Sequence, residues 1–268
     1  MISLERRDGR PLVIGHRGAA DLAPENTLRA LRAGLEAGVD LIEFDVLPLA
    51  SGELVLAHSD DLVEVTHGTA RGQVHDLSLD ALRVLAPELP TLDEALRFFT
   101  DEAPEVGVHL DLKAAGVEQQ IVERLTAHHV AERTLITSGR LDVVHRLALL
   151  DPRIRIGYSF PEDRYGISRR RGGGLFVWAG LRWVKAVTPF LVTRLLGRSG
   201  ATALSLQHTL VTRAVVDRAH RLGVAVVAWT VKRPEDLARV DAAGVDAVVV
   251  NDPKIALEGP RMFGEGSG

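Results

Sequence analysis

Leu12-Val13-Ile14-Gly15-His16, then Asn26 to Ala37, then Asp40-Leu41-Ile42-Glu43-Phe44-Asp45-Val46: this stretch decides the fold. The first run is short and apolar, as suits a strand buried on both faces. The second places Leu28, Leu31 and Leu35 at i, i+3 and i+7, an apolar helix stripe, with Gly38 at a C-cap position. The third run is again a strand. Strand, helix and strand in succession form a unit whose two strands pair in parallel.

The alternation continues along the chain. Further strands are expected near 106–113, 134–138, 154–159, 203–206, 224–229 and 246–250, and further helices near 116–129, 140–150, 211–222 and 234–243. With those near 12–16 and 40–46, eight strands result, which predicts an α/β protein with a (β/α)8 TIM barrel. A doubly wound open sheet is the alternative, but no Gly-rich dinucleotide turn follows any strand to support it. Residues 47–105 interrupt the repeat after the second strand and predict a small inserted subdomain. It starts with a hairpin around Ser51-Gly52 and ends with a helix near 92–100 that Thr91 would N-cap. Residues 1–260 read as one barrel domain and 261–268 as a flexible tail.

Composition bounds the function. The chain has 268 residues, 46% apolar and 25% charged, as in a globular protein. Its net charge of −4 argues against general nucleic-acid affinity. With no cysteine, disulfides, thiolate metal sites and a cysteine nucleophile are excluded. The N-terminus lacks the apolar stretch of a secretory signal, and no uncharged run approaches the ~20 residues of a membrane span, so a cytoplasmic protein is expected.

Strand alternation puts Glu43 and Asp45 on one face and Ile42, Phe44 and Val46 on the other. Adjacent carboxylates repel unless a cation sits between them, and oxygen donors suit Mg²⁺ or Ca²⁺. A hydrogen-bonded pair inside the barrel would give the same pattern. His109, Asp111 and Lys113 likewise share a face, offering either a third acid with a cation for an anionic substrate or an internal Asp–Lys ion pair. In Gly15-His16-Arg17-Gly18, the glycines permit an unusual backbone, Arg17 suits a phosphate and His16 suits proton transfer. If the hairpin turns at 50–53, His58 returns opposite Asp45, so that two histidines flank the acids, as phosphate-ester cleavage would need. The seven other histidines lack such company.

These residues resemble the glycerophosphodiester phosphodiesterase family. The likeness runs through Gly15-His16-Arg17-Gly18, Pro24-Glu25-Asn26-Thr27, Glu43-Phe44-Asp45, His58 and Leu110-Asp111-Leu112-Lys113. It continues through Ala228-Trp229-Thr230-Val231 and Gly244-Val245-Asp246 to Asn251-Asp252-Pro253, all in the family's order. The resemblance implies a metal-dependent hydrolase that cuts glycerophosphodiesters to glycerol phosphate and an alcohol. It implies one divalent cation, Mg²⁺ or Ca²⁺, on Glu43, Asp45 and Asp111, with His16 and His58 as the acid–base pair. Arg17 and Lys113 would hold the phosphate, and Trp229 would line the substrate pocket. Glu25 and Asn26 would hold the first loop, Asn26 also capping the helix that follows. Three positions depart from the family's usual pattern: Asp111 stands for glutamate, Lys232 for asparagine, and His109 for a small polar residue.

Two other substrates or roles fit the same barrel: lysophospholipids cut on the same side of the phosphodiester, or phospholipid headgroups bound without catalysis at a membrane surface. A binding module needs no acid–base pair. A barrel hydrolase of the His-x-His type is disfavoured, since no such pair ends the first strand. Residues 164–198 carry eight Lys or Arg, no acid, and two of the three tryptophans. That pattern suggests a helix on an anionic membrane surface, with peripheral association; the preferred alternative is an ordinary barrel helix, since Pro189 would break a long surface helix.

Overall fold

The computed structural model describes residues 1–161, 194, 196–197 and 199–258. The expected tail 261–268 lies outside the described residues, as does the basic segment 164–198 apart from Arg194, Leu196 and Gly197.

The chain runs β1 (Leu12–Gly15), α1 (Leu28–Ala37), β2 (Leu41–Pro48), β3 (Leu54–Leu56), α2 (Leu62–Val65), α3 (Leu79–Leu85), α4 (Leu92–Asp101), β4 (Gly107–Leu112), α5 (Glu118–Ala127), β5 (Thr134–Ser138) and α6 (Leu141–Leu150). It continues with β6 (Arg155–Phe160), β7 (Ala203–Gln207), α7 (Arg213–His220), β8 (Ala225–Val231), α8 (Pro234–Ala242), β9 (Ala247–Val250) and α9 (Lys254–Leu257). The sheet order is β1-β9-β8-β7-β6-β5-β4-β2, and β1 also pairs with β2. Eight parallel strands therefore close into a TIM barrel, as expected from the alternating runs. The ninth strand, β3, pairs antiparallel with β2 as the returning arm of the hairpin.

The strands' outward residues pack under the helices. Ile42, Phe44, Val46, Leu110 and Leu112 share one core with Leu96, Phe98 and Phe99 of α4. The inward residues are apolar at the N-terminal end, where Leu12, Ile14, Leu41, Leu135, Ala203, Val227, Ala247 and Val249 form a plug with Leu4 beneath it. Two residues further along, the inward position turns polar in four of these strands: Ile14 is followed by His16, Leu41 by Glu43 and Asp45, Leu135 by Thr137, and Val249 by Asn251. The plug fixes strand register through burial, and the polar layer above it forms the site.

Between β2 and α4, Leu47, Val55, Leu62, Val74, Leu82 and Leu89 build a separate small core. Helix α4 starts in the expected place, with Thr91 and Glu94 forming a reciprocal capping box. The cap of α1 differs from expectation. Thr27, not Asn26, accepts from Ala30 N at 3.2 Å, because Asn26 sits at φ 59° with its side chain turned toward Asp45. The hairpin register also differs by one residue: Val46 pairs with Leu56, so Ala57 stands opposite Asp45 and His58 lies one residue beyond.

Candidate active site

At the C-terminal end of the barrel a cavity of about 1100 Å³ opens. It is lined by His16, Arg17, Glu25, Glu43, Asp45, His58, His109, Asp111, Lys113 and Trp229. The remaining expected residue, Asn26, stands behind this lining and braces Asp45: its Nδ2 donates to Asp45 Oδ2 and its Oδ1 accepts from Asp45 N, both at 3.0 Å.

The loop after β1 is set by contact with α1. Gly18 lies at φ 92°, and a Cβ there would fall 2.3 Å from the backbone carbon of Ala30. A Cβ on Gly15 would fall 2.1 Å from Gly18 O. Gly18 thus lets the loop press against the helix backbone, and Gly15 lets the loop fold back on itself. Glu43 fastens the same loop, since its Oε2 accepts from Arg17 N at 2.7 Å and its carbonyl from Gly18 N at 2.8 Å.

Parallel register sets Glu43 beside His109 and Asp45 beside Asp111. Ligand atoms of Glu43, Asp45 and Asp111 all lie within 4.8 Å of one another, and among the described residues this is the single such cluster. Two basic side chains partly neutralise it. Lys113 Nζ bridges Asp45 Oδ1 at 2.8 Å and Asp111 Oδ2, so the internal Asp–Lys ion pair is present in the structure. Arg17 Nε faces Asp45 Oδ2 at 3.2 Å, while its Nη1 donates to both oxygens of Glu25 at 2.8 and 2.7 Å. No described residue engages its Nη2 in a hydrogen bond.

Burial alone would raise the Asp45 carboxyl, but Lys113 and Arg17 outweigh it and hold the group well below the usual carboxylate range. Glu43 goes the other way: burial, then Asp45 and Asp111, push it well up. Three acids thus face two cations, and their all-oxygen donor set fits a hard divalent ion.

His16 Nε2 lies 4.0 Å from Glu43 Oε2, and its Nδ1 lies 2.7 Å from Asn251 Oδ1. Because a carbonyl oxygen only accepts, Nδ1 carries the proton and Nε2 presents a lone pair. Burial, reinforced by Arg17, lowers this imidazole to about 3. His58 is lowered in the same sense, by burial and then by Arg17 and Lys113 against Asp45. His109 is buried and donates from Nε2 toward Thr137 Oγ at 3.0 Å. Trp229, at the end of β8, has its indole Nε1 buried with no hydrogen-bond partner.

The sequence pattern left three participants without a role. Asn251 directly follows β9 and meets His16, Asp21 accepts from Asn251 Nδ2 at 3.2 Å, and Thr137 donates to Asp111 Oδ1 at 2.6 Å. The signal for Thr137 and Asn251 was available in the alternation, as the last inward positions of otherwise apolar strands. His208 also has more company than expected, lying 3.4 Å from Asp236 on the cavity wall.

A family model described as the glycerophosphoryl diester phosphodiesterase family matches residues 16–255. The glycerophosphodiester phosphodiesterase of Caldanaerobacter subterraneus subsp. tengcongensis is 26% identical, over 95% of this chain and 100% of its own. Glycerophosphodiester phosphodiesterase GDPD4 of Arabidopsis thaliana is 27% identical, over 91% of this chain and 72% of its own. Among solved structures, the glycerophosphodiester phosphodiesterase of Thermotoga maritima superposes with a TM-score of 0.72 at 19% identity, covering 93% of this chain and 98% of that one. An Oleispira antarctica phosphodiesterase, solved with the product sn-glycerol-3-phosphate, gives 0.70 at 23% identity, over 92% and 96% of the two chains. These likenesses carry the fold, and the match over residues 16–255 carries the family: this chain belongs to the glycerophosphoryl diester phosphodiesterase family.

Proposed function

We propose that this protein hydrolyses glycerophosphodiesters to glycerol phosphate and an alcohol, using one divalent ion and the pair His16 and His58. The observation that carries the reading is the convergence of Glu43, Asp45 and Asp111 within 4.8 Å, with His16 Nε2 4.0 Å from Glu43. Glu43, Asp45 and Asp111 are the residues that would hold the ion. When bound, a divalent ion supplies positive charge against the phosphoryl oxygens as they gain charge.

The chain's own groups do the rest. Arg17 offers its Nη2 to a phosphate oxygen, while Glu25 and Asp45 hold the guanidinium in place. The Nε2 lone pair of His16 takes the proton of the attacking oxygen as that oxygen bonds to phosphorus. The bond to the alcohol oxygen breaks, and His58 returns a proton to that oxygen. Burial, with Arg17 and Lys113, keeps the His58 imidazole neutral without substrate; a phosphodiester anion bound beside it offsets the two cations and favours the protonated ring that gives this proton. Lys113 balances the charge of Asp45 and Asp111, and would be free to pair with a phosphate oxygen were a divalent ion to neutralise those acids. Trp229 lines the cavity and offers its ring to the glycerol or alcohol group. The sn-glycerol-3-phosphate seen in the Oleispira antarctica phosphodiesterase is the product this reading expects here.

The test is turnover of a panel of glycerophosphodiesters and lysophospholipids, each with Mg²⁺, Ca²⁺ or EDTA. Glycerol phosphate released from glycerophosphodiesters only with an added ion supports the reading. Full turnover in excess EDTA, or none with any ion, overturns it.

A further inference from the structure

Asp111 is the least buried of the three clustered acids, with a side-chain exposure of 18% against 4% for Glu43 and 2% for Asp45. Asp45 is fixed from behind by both ends of the Asn26 amide, and Glu43 by the backbone of the first loop. Asp111 has no such clamp and is contested by Lys113, which binds its Oδ2. Its other oxygen is taken by Thr137 at 2.6 Å.

Thr137 has a single hydroxyl proton, and a carboxylate can only accept, so that proton goes to Asp111. The hydroxyl oxygen must then accept from His109 Nε2, 3.0 Å away. This fixes His109 as the Nε2–H tautomer and leaves its Nδ1 a bare acceptor, which is buried and has no hydrogen-bond partner. An unsatisfied buried acceptor is destabilising. The arrangement thus spends stability to keep a donor aimed at Thr137, and through it at Asp111.

We infer that Thr137, oriented by His109, is a positioning residue that holds Asp111 Oδ1 in place for the divalent ion while Lys113 pulls on Oδ2. The inference rests on the reading that Glu43, Asp45 and Asp111 hold that ion. A hydrogen bond to a ligating carboxylate fixes the direction of its lone pairs, and loss of such a partner typically costs about 10–100-fold in metal affinity.

The experiment measures Mn²⁺ binding to the purified, EDTA-stripped protein by calorimetry and by loss of the free Mn²⁺ paramagnetic resonance signal, without substrate. Thr137→Val keeps the side chain's shape and removes the hydroxyl; it should weaken Mn²⁺ binding about 10–100-fold. Thr137→Ser keeps the hydroxyl and should stay within a few-fold of wild type. His109→Gln, which can still donate to Thr137, should bind more tightly than His109→Leu. Thermal melting followed by circular dichroism checks that each variant is folded, and the contrast of His109→Gln with His109→Leu carries the test if Thr137→Val is not, equal Mn²⁺ affinity of the two overturning the inference. A residue with only a packing role would lower the melting temperature without separating Val from Ser in affinity. Equal Mn²⁺ affinity for Thr137→Val and wild type overturns the inference alone. Wild-type affinity untouched by Asp45→Asn overturns the reading of the acid cluster and the inference with it.

Discussion

His16 and Asn251 close the barrel's first and last strands against each other. The backbone N–H of His16 donates to Val250 O at 2.8 Å, and its Nδ1–H donates to Asn251 Oδ1 at 2.7 Å. Asp21 in turn accepts from the Asn251 amide, so the oxygen of that amide, and not its nitrogen, faces the imidazole. Removing the amide frees the ring to rotate and to carry its proton on Nε2, the nitrogen that must be bare for a base. Asn251→Ala should lower kcat about tenfold or more, a part of the ~10²–10⁴ that a positioned proton-transfer group contributes. KM should change little. Steady-state kinetics on a glycerophosphodiester, with nitrogen-15 imidazole shifts to report the tautomer, checks it; wild-type kcat in the variant would break the link.

His16→Ala and His58→Ala should each cost roughly 10²–10⁴ in kcat. Groups that act in one proton-transfer sequence are not additive, so the double variant should be little worse than the poorer single one. Near wild-type turnover by either single variant would remove that histidine from the pair.

The barrel was legible in the sequence because register and face are carried by alternation. Glu43 with Asp45 and His109 with Asp111 were placed on shared faces by period alone, and lateral pairing then joined them. The misplaced details depend on local geometry that pattern does not encode. Asn26 looks like a helix cap until its left-handed backbone turns the side chain to Asp45, leaving the cap to Thr27. His58 is one residue further along because a hairpin's register follows its turn, not its composition. Alternation marks Thr137 and Asn251 as inward, but their partners, Asp111 and His16, follow only from the register and closure of the strands. Nor could sequence choose between Lys113 as an ion-pair partner and as a phosphate ligand: in the structure its ammonium lies between Asp45 and Asp111.

Chelation should abolish turnover, and Asp45→Asn should do the same. Asp45 is met by Asn26, Lys113 and Arg17, so the amide loses charge compensation for two buried cations. Lys113 keeps Asp111 and Arg17 keeps Glu25, which leaves the variant folded. The expected outcome is a cooperative melt with activity below detection, measured by circular dichroism and by glycerol phosphate release. An active Asp45→Asn variant would remove this residue from the ion's ligands.

Arg17→Lys should raise KM at least tenfold. The guanidinium reaches Glu25 through Nη1 and Asp45 through Nε at once, with Nη2 left for phosphate. An ammonium cannot span these three positions, because it is a point charge on a flexible stem. The comparison is kcat and KM for wild type and variant on one glycerophosphodiester, and equal KM values would show that charge alone suffices.

The last prediction concerns acid stability and His208. Arg239 Nη2 donates to His208 Nδ1 at 3.0 Å, so this nitrogen is an acceptor in the fold. Protonation would place a hydrogen where the guanidinium already donates. Burial lowers the His208 imidazole, Arg239 and Arg233 add to the effect, and Asp236, 3.4 Å away, opposes it without prevailing. Since the folded value lies below the unfolded one of about 6.5, the unfolded chain binds more protons between the two. Stability from this group is therefore fully present above about pH 6.5 and is lost as pH falls below it. His16 and His58 act in the same direction, so the effect is isolated by comparison with His208→Gln. The melting temperature of wild type should fall more steeply than that of His208→Gln between pH 8 and about pH 5. A difference between the two that stays constant across that range would mean that His208 titrates alike in the folded and unfolded chains.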